Sequence, residues 1–502
     1  MENSRALPKL KKATKGNVVT RFPPEASGYL HLGHLKALLI NHLYAQEYEG
    51  RMILRFDDTN PDKESSLYEQ AILEDIRTLN IAYGEATFAS DYFDNIIDYA
   101  KALITKGLAY VDFSSAEEIN MQRINLDSSP YRNTDSIINQ DQFAKMCNGT
   151  AKSCCLRAKI DYTSKNGCMR DPVIFRQKEM VHPRHGTKYK IYPTYDFACP
   201  ILDAIQGVTH AMRSTEYLDR DSQYRWFLTN LNLWNGIYPL LMDYGRMSFT
   251  HTVLSKRNLA KLVEAGLVDG WSDPRMPTLR GVWRCGIQVE PLIKYIKTQL
   301  TSRSPVLLSW DKLYSFNQQY LDKICSRFYG LSEDIIVVTI VGDLPKSVQL
   351  ANHPKKQQMG TREMSLDSTL LVEKSDFANA TKGSRYTLVG LGNATIVQMD
   401  HITLQYDKND VDYKSTTKIT WLPNDNQNVR VKVKFFDRLL SKAKKEENDN
   451  ILEIFNKDSV KETHWWVEPS LINCPVSSVF QIMRKHYCYL DERTVLHIVP
   501  FN

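Results

Sequence analysis

Two imidazoles, His31 and His34, stand three residues apart after the turn Pro23-Pro24-Glu25-Ala26-Ser27-Gly28, and far downstream a lysine sits in Val253-Leu254-Ser255-Lys256-Arg257. An apolar strand (Val18, Val19) leading through a Pro/Gly turn into a helical stretch is the architecture of a phosphate site. Glycine lets the backbone approach a nucleotide, and the helix start offers unpaired N–H groups and a positive dipole end. Histidines at that spacing share one face of a helical turn and can donate to phosphate oxygens. Lys256, expected in a loop flanked by polar residues, would add a cation where charge builds on a transferring phosphoryl or adenylyl group. Alone, each segment has a plainer reading: His-x-x-His as a metal-ligand fragment or two surface histidines, Ser255-Lys256-Arg257 as a solvated loop.

The elements that must hold these groups follow from periodicity. From about Asn17 to Asp91 strand-like runs such as Met52-Ile53-Leu54-Arg55-Phe56 alternate with helical ones such as Ala37 to Tyr44 and Tyr68 to Leu79. That alternation implies a parallel sheet flanked by helices, whose ligands bind at the carboxyl ends of the strands. Arg21 and Asp57 are expected to follow strands and project into that crevice. Residues 92–191 break the pattern with polar, cysteine-bearing and proline-bearing sequence, including His182-Pro183-Arg184-His185-Gly186. Alternation resumes with Gly207 to Arg213 as a strand and Asp219 to Asn232 as an amphipathic helix, so the nucleotide fold is split. Helices are expected from Asn258 to about Gln319. Beyond Leu331, runs such as Ile335 to Ile340, Arg385 to Val389, Thr395 to Met399, Ile402 to Tyr406, Lys418 to Trp421 and Val429 to Phe435 alternate with period two, as in an all-β module. Val429 to Phe435 places three basic side chains on one face, facing either RNA or solvent. Ser441 to Asn450 is expected to be a mobile loop between barrel strands.

Composition bounds the rest. The chain has 502 residues, enough for several domains, and a formal charge of +6, compatible with a nucleic-acid partner. Nine cysteines without a Cys-x-x-Cys pair argue against a disulfide framework and a thiolate zinc site, and Cys154-Cys155 reads as buried packing. No apolar run is long enough to cross a bilayer, and the start of the sequence lacks the apolar core of a secretory signal. Arg5, Lys9, Lys11, Lys12 and Lys15, with Glu2, read as a solvated tail that brushes RNA rather than a transit peptide. A reducing compartment, the cytoplasm, is expected.

Taken together, Arg21 to His34, Leu54 to Pro61, Tyr192 to Phe197 and Val253 to Leu259 resemble, in order, the motifs of class I aminoacyl-tRNA synthetases of the glutamyl/glutaminyl branch, in its eukaryotic and archaeal form. The resemblance spans roughly residues 17–290 and continues more weakly to the end. Leu32 stands where isoleucine is usual, and Val253-Leu254 where many relatives have Lys-Met. Gln206 replaces a frequent acid, for which the sequence offers no reason. The fold implied is α/β: a split Rossmann-type catalytic domain with an inserted acceptor-binding domain, a helical subdomain and carboxy-terminal all-β anticodon-binding barrels, where bacterial glutamyl relatives carry a helical cage. The boundaries implied are 1–16 (basic tail), 17–91 and 192–257 (catalytic halves), 92–191 (acceptor-stem insertion), 258–325 (helical) and 326–502 (β-barrels).

The activity implied is ATP-dependent esterification of L-glutamate to tRNA(Glu), with a glutaminyl-tRNA synthetase or a noncatalytic RNA-binding paralogue as alternatives. His31, His34 and Lys256 would be catalytic. Glu25, Ala26, Ser27, Gly33, Ser214, Arg246, Met247 and Ser255 would hold ATP. Arg21, Asp57, Tyr195 and Arg213 would hold glutamate, with Asp57 and Tyr195 on the ammonium and arginines on carboxylates. On its residues alone, Asp57 reads as a helix cap before Thr59-Asn60-Pro61. Magnesium would accompany ATP without a protein cage, and no zinc or membrane contact is implied. Other synthetases or scaffold factors are further partners that the basic amino terminus would engage. Arg213 matches a position that is usually cysteine in glutaminyl enzymes, and an arginine fork suits a carboxylate rather than an amide.

Overall fold

The β-branched and aromatic residues of Val19–Phe22 form β1, a short strand buried except at its first residue. In the computed structural model, which describes residues 7–62, 66–151, 153–234, 236–237, 239–300 and 302–501, the chain folds as two units. One comprises Met1–Ser248 with Ile296–Leu308, the other Phe249–Tyr295 with Ser309–Asn502.

In the first unit, β1 runs parallel to β2 (Arg51–Phe56), and β2 parallel to β3 (Glu85–Phe88), with Arg21 opposite Ile53 and Ile53 opposite Glu85. Parallel neighbours need a crossover, and helix α1 (Leu32–Glu47) supplies the first, burying Leu32, Leu35, Leu38 and Leu39. Further along, β8 (His210–Ser214) pairs in parallel with β9 (Leu240–Tyr244). The amide of Thr209 donates to the Val19 carbonyl at 2.9 Å, and the Val19 amide to Thr209 Oγ1 at 2.8 Å, which sets the second strand pair beside β1. The carboxyl ends of β1, β2 and β8 thereby share one edge.

Between the halves lies an antiparallel four-stranded sheet in the order β4 (Ala109–Asp112), β5 (Cys155–Ala158), β6 (Val173–Gln177), β7 (Ile191–Pro193). Its core, with Phe143, Leu156 and Phe175, is continuous with Phe197 and Ile201 of α6 (Tyr195–Ile205) and Phe227 of α7 (Asp221–Asn230). Cys154 belongs to that apolar core.

In the second unit, α8 (Lys256–Glu264) packs Leu259 and Leu262 against Leu439, Leu440, Ile451, Ile454 and Phe455. After the helices Leu279–Arg284 and Asp311–Ile324, the chain forms two seven-stranded, barrel-like sheets and a two-stranded hairpin, Ser347–Ala351 with Thr361–Ser365. One carries Ile335–Val341, Arg385–Leu388, Gly392–Gln398 and Thr403–Asp407; the other is built around Val429–Phe436 and Val460–Val467, which pair along eight residues.

Several expectations are corrected. The run Lys418 to Trp421 is two strands, Thr417–Ile419 and Trp421–Pro423, paired to different neighbours. The basic face of Val429–Phe436 is neutralised across the ladder: Lys432 and Lys434 lie 3.4 Å from Glu462, and Arg430 pairs with Glu333. Opposed charges one strand apart settle each other, so the strand offers no bare basic stripe. The segment Ser441 to Asn450 is tethered, with the His251 amide donating to the Ala443 carbonyl at 2.8 Å and Leu440 bridging to Phe455. Residues 7–16 are not a free tail: Tyr44 donates to the Pro8 carbonyl at 3.0 Å, the Leu10 amide to Tyr48 at 3.0 Å, and Leu10 is buried. Arg5 and Glu2 lie outside the described residues. Among the described residues, no helix is long and apolar enough to cross a membrane.

Candidate active site

His31 is not in the helix but caps it. Its Nδ1 accepts the amides of Gly33 (3.0 Å) and His34 (3.3 Å), while His34 Nδ1 accepts the His31 amide at 3.2 Å. This is a capping box with imidazoles in place of the usual hydroxyl and carboxylate. The two rings stack with centroids 3.7 Å apart. A ring nitrogen that accepts an N–H carries no proton, so the proton of each neutral ring sits on Nε2. The pair therefore presents two Nε2–H donors at the positive end of α1, with the tautomers set by the backbone. Glu25, Ala26 and Ser27 lie in the loop between β1 and α1, Ala26 buried and the other two half-buried, and Gly33 is in the first turn of α1.

Arg21 is inside β1 rather than after it, and its side chain is fully buried. Its Nε donates to Asp203 Oδ1 and Oδ2 at 3.1 and 3.2 Å, and Nη1 to the Met212 carbonyl at 3.0 Å. Arg55 donates through Nη2 to Asp203 Oδ1 at 2.6 Å, and Tyr224 through its hydroxyl to Asp203 Oδ2 at 2.8 Å. Burial alone would push the Asp203 carboxyl up; Arg21, Arg55 and Tyr224 outweigh it and hold it below the usual range. The second nitrogen of Arg55 donates to Gln206 Oε1 at 2.8 Å, and Gln206 Nε2 donates to Thr87 at 2.9 Å. An amide serves both neighbours because it accepts and donates, which an ionised acid cannot.

Asp203, Arg55 and Gln206 were not foreseen as a network. The signal was there: Tyr195, Cys199 and Asp203 follow at four-residue steps on α6, and Arg55 interrupts an otherwise apolar strand. A charge on a buried face needs a partner of opposite sign.

Asp57 follows β2, and its Oδ1 accepts the Thr59 hydroxyl at 2.8 Å and the Thr59 amide at 3.4 Å. It closes a local turn and caps no helix; the next helix is Ser66–Thr78. Burial, with the neighbouring charges of Glu25 and Asp58, pushes its carboxyl up to about 6. Burial also raises the Tyr195 hydroxyl well above its ordinary range, with Arg21 and Arg213 close enough to oppose the rise.

Arg213, near the end of β8, is buried. Its guanidinium carbon stands 5.0 Å from the Tyr217 ring and 5.3 Å from the Tyr224 ring. One donor reaches Asp221 at 3.3 Å, and the buried Nε has no hydrogen-bond partner among the described residues. Ser214 and the exposed Arg246 are linked through Glu216, which accepts Arg246 at 2.6 Å and Ser214 Oγ at 3.3 Å. Met247 is buried. Ser255 and Lys256 belong to the second unit, where Ser255 stands at the N-cap position of α8 without a side-chain capping bond and Lys256 is the first residue of the helix instead of lying in a loop. Among the described residues, no group of three His, Cys, Asp or Glu side chains is placed to hold a metal.

Family models match three stretches. Residues 17–323 match the catalytic domain of the class I (E and Q) tRNA synthetases, and 325–414 and 418–491 match two anticodon-binding domains of the same family. The bifunctional glutamate/proline–tRNA ligase of Mus musculus is 39% identical over 493 residues, covering 96% of this chain and 32% of its own length. The chain thus spans about a third of that relative. A probable cytoplasmic glutamate–tRNA ligase of Encephalitozoon cuniculi is 38% identical, with 97% and 76% covered, and the cytoplasmic enzyme of Arabidopsis thaliana is 38% identical, with 96% and 68% covered. Among solved structures, a glutamate tRNA ligase from Elizabethkingia meningosepticum aligns with a TM-score of 0.41 at 20% identity, over 62% of this chain and 70% of that one.

Proposed function

The chain belongs to the class I (E and Q) tRNA synthetases, a family that uses ATP, and from that premise we propose that it activates L-glutamate and transfers it to tRNA(Glu). The glutamate carboxylate attacks the α-phosphate of ATP, giving glutamyl-adenylate and pyrophosphate; the terminal ribose hydroxyl of the tRNA then attacks the acyl carbon, giving up its proton as the acyl–phosphate bond breaks and AMP leaves. No nucleophilic side chain is needed; the protein positions the reactants and stabilises a crowded anionic transition state.

In this reading Asp57 and Tyr195 hold the α-ammonium, and Arg213 takes the side-chain carboxylate. Arg21, anchored on Asp203, lends its charge to the same end of the crevice. The Nε2–H donors of His31 and His34 meet ATP phosphates near Glu25, Ala26, Ser27 and Gly33, while Ser214, Arg246 and Met247 hold the rest of the nucleotide. The roles of Ser255 and Lys256 rest on the sequence motif alone. Magnesium enters with ATP, held by substrate oxygens and water. The carboxy-terminal sheets read the anticodon, residues 92–191 receive the acceptor end, and the cytoplasm is the proposed location, as in the names of the relatives.

The observation that supports glutamate most is Arg213. Its ion pair with Asp221 is long, at 3.3 Å, and its buried Nε has no hydrogen-bond partner among the described residues, so the guanidinium can take a second carboxylate through charge-assisted hydrogen bonds that a neutral amide matches less well. Aminoacylation of total tRNA with labelled glutamate and with labelled glutamine tests the reading. Incorporation of glutamate alone is expected; incorporation of glutamine, or of neither, overturns it.

A further inference from the structure

The segment His182-Pro183-Arg184-His185-Gly186 takes no part in the proposed reaction, yet it touches the loop that carries Asp57. It lies between β6 and β7, where His182 and Gly186 bridge to each other. From this hairpin Lys178 reaches Asn60 Oδ1 at 2.5 Å and pairs with Asp62. Arg184 lies over the Phe88 ring at 3.5 Å and pairs with Asp91 at 2.9 Å. His182, 1% exposed, places Nε2 at 2.9 Å from the Asp58 main-chain carbonyl.

The tautomer follows from the two ring contacts. A carbonyl can only accept, so Nε2 must carry hydrogen. Nδ1 accepts the Arg184 amide at 3.1 Å and so carries none. The Asp58 carboxylate accepts the Ser90 amide at 2.8 Å and the Ser90 hydroxyl at 2.5 Å, and its Oδ2 also lies 3.8 Å from His182 Nε2 and 4.0 Å from Arg184 Nε, beyond hydrogen-bond distance.

The consequence lies in one peptide group. The Asp58 carbonyl held by His182 belongs to the same planar amide as the Thr59 N–H, and that N–H points at Asp57 Oδ1. Because the unit is rigid, fixing its oxygen fixes the direction of its hydrogen. We infer that His182 is a positioning residue for glutamate binding, orienting the Asp57 carboxylate through the Asp58–Thr59 peptide. The inference rests on the reading of Asp57 as the ammonium ligand. It makes the inserted segment a determinant of amino-acid affinity as well as a part of the fold.

Substitutions that keep one ring nitrogen at a time provide the test. His182→Gln retains a donor near the Nε2 position and loses the Nδ1 acceptor, whereas His182→Asn retains an acceptor near Nδ1 and loses the donor. Glutamate KM and ATP KM are measured by tRNA-dependent pyrophosphate exchange on the full chain, alongside thermal unfolding. His182→Asn should raise the glutamate KM about tenfold, the scale of one lost buried hydrogen bond, with ATP KM changed less than about threefold. His182→Gln should restore most of the glutamate KM. Equal defects in both variants, or a loss that follows unfolding temperature instead of the retained donor, overturn the inference. Asp57→Asn run in parallel separates the failures. If it leaves the glutamate KM unchanged, the ammonium reading falls; if it raises that KM while His182→Asn does not, only the positioning role falls.

Discussion

Cation–carboxylate pairs occur both in the interior of the catalytic unit and on the outer face of a carboxy-terminal strand, and the same chemistry does different work in each place. Around Asp203 the two arginine partners are 1–2% exposed and every close neighbour contributes a donor. Along Val429–Phe436 the partners Lys432 and Glu462 are 42% and 45% exposed, and the separation is 3.4 Å. Water competes for the second set and not for the first, so the interior cluster has no alternative partner if one member is lost. Arg213 stands between these extremes, buried like Arg21 but with one long bond and an unpartnered Nε. The comparison separates a charge retained for the fold from one held ready for a ligand.

Asp203→Ala should have the largest effect. It leaves two buried guanidinium groups uncompensated, and the expected loss is ~3–5 kcal/mol of stability, read as a lowered denaturant midpoint of the catalytic unit. An unchanged midpoint would mean that the cluster is solvated and would erase the contrast.

Next comes Arg213→Cys, expected to cost ~2–5 kcal/mol in kcat/KM for glutamate, as for deleting one partner of a desolvated charge pair, and to narrow or reverse the preference over glutamine. The unfolding midpoint should move far less than in Asp203→Ala. If stability falls as much as activity, Arg213 is a structural charge like Arg21.

The third effect is graded by pH. Asp57 is raised to about 6 by burial beside Glu25 and Asp58. A carboxyl raised in this way is protonated below about 6, and only its anion pairs with an ammonium. The kcat/KM for glutamate should therefore fall as pH drops through about 6, approaching tenfold per pH unit on the acid side. A flat profile from pH 7 to 5 would place Asp57 away from the amino acid.

Smallest is Glu462→Gln on the barrel face, which removes the partner of Lys432 and Lys434. Calorimetry should show a change of no more than ~0.5 kcal/mol. A loss of several kcal/mol would show that this exposed strand behaves like the interior after all.

Legibility in the sequence followed periodicity and motif length. Ala37 to Tyr44 carries apolar residues at helical spacing and Ile335 to Ile340 is a short β-branched run, and both fall inside elements of the expected type, Leu32–Glu47 and Ile335–Val341. Lys418 to Trp421 reads as one strand because its composition is continuous. The division falls at Thr420, where the chain leaves one neighbour and joins another, and no local residue marks that exchange. Likewise, the lysines near the amino terminus suggested a solvated tail, while the backbone carbonyls of Pro8 and Lys11 are fastened by Tyr44 and His210, contacts of long sequence separation.

By itself the sequence determined the split α/β frame, the β-rich carboxy-terminal region and the residue types at the crevice, because these depend on repeats a few residues long and on motifs read in order. The tertiary structure alone decided how those residues are used. It turned His31 into a helix cap with its proton on Nε2, gave Gln206 two neighbours that need an acceptor and a donor, and consumed Arg21 in an internal pair while leaving Arg213 a buried donor without a partner. The reason is physical: a hydrogen-bond partner or an opposing charge acts over about 3–4 Å in space, whatever its distance along the chain. Asp203 lies 182 residues from Arg21 in sequence, and only the fold brings them together.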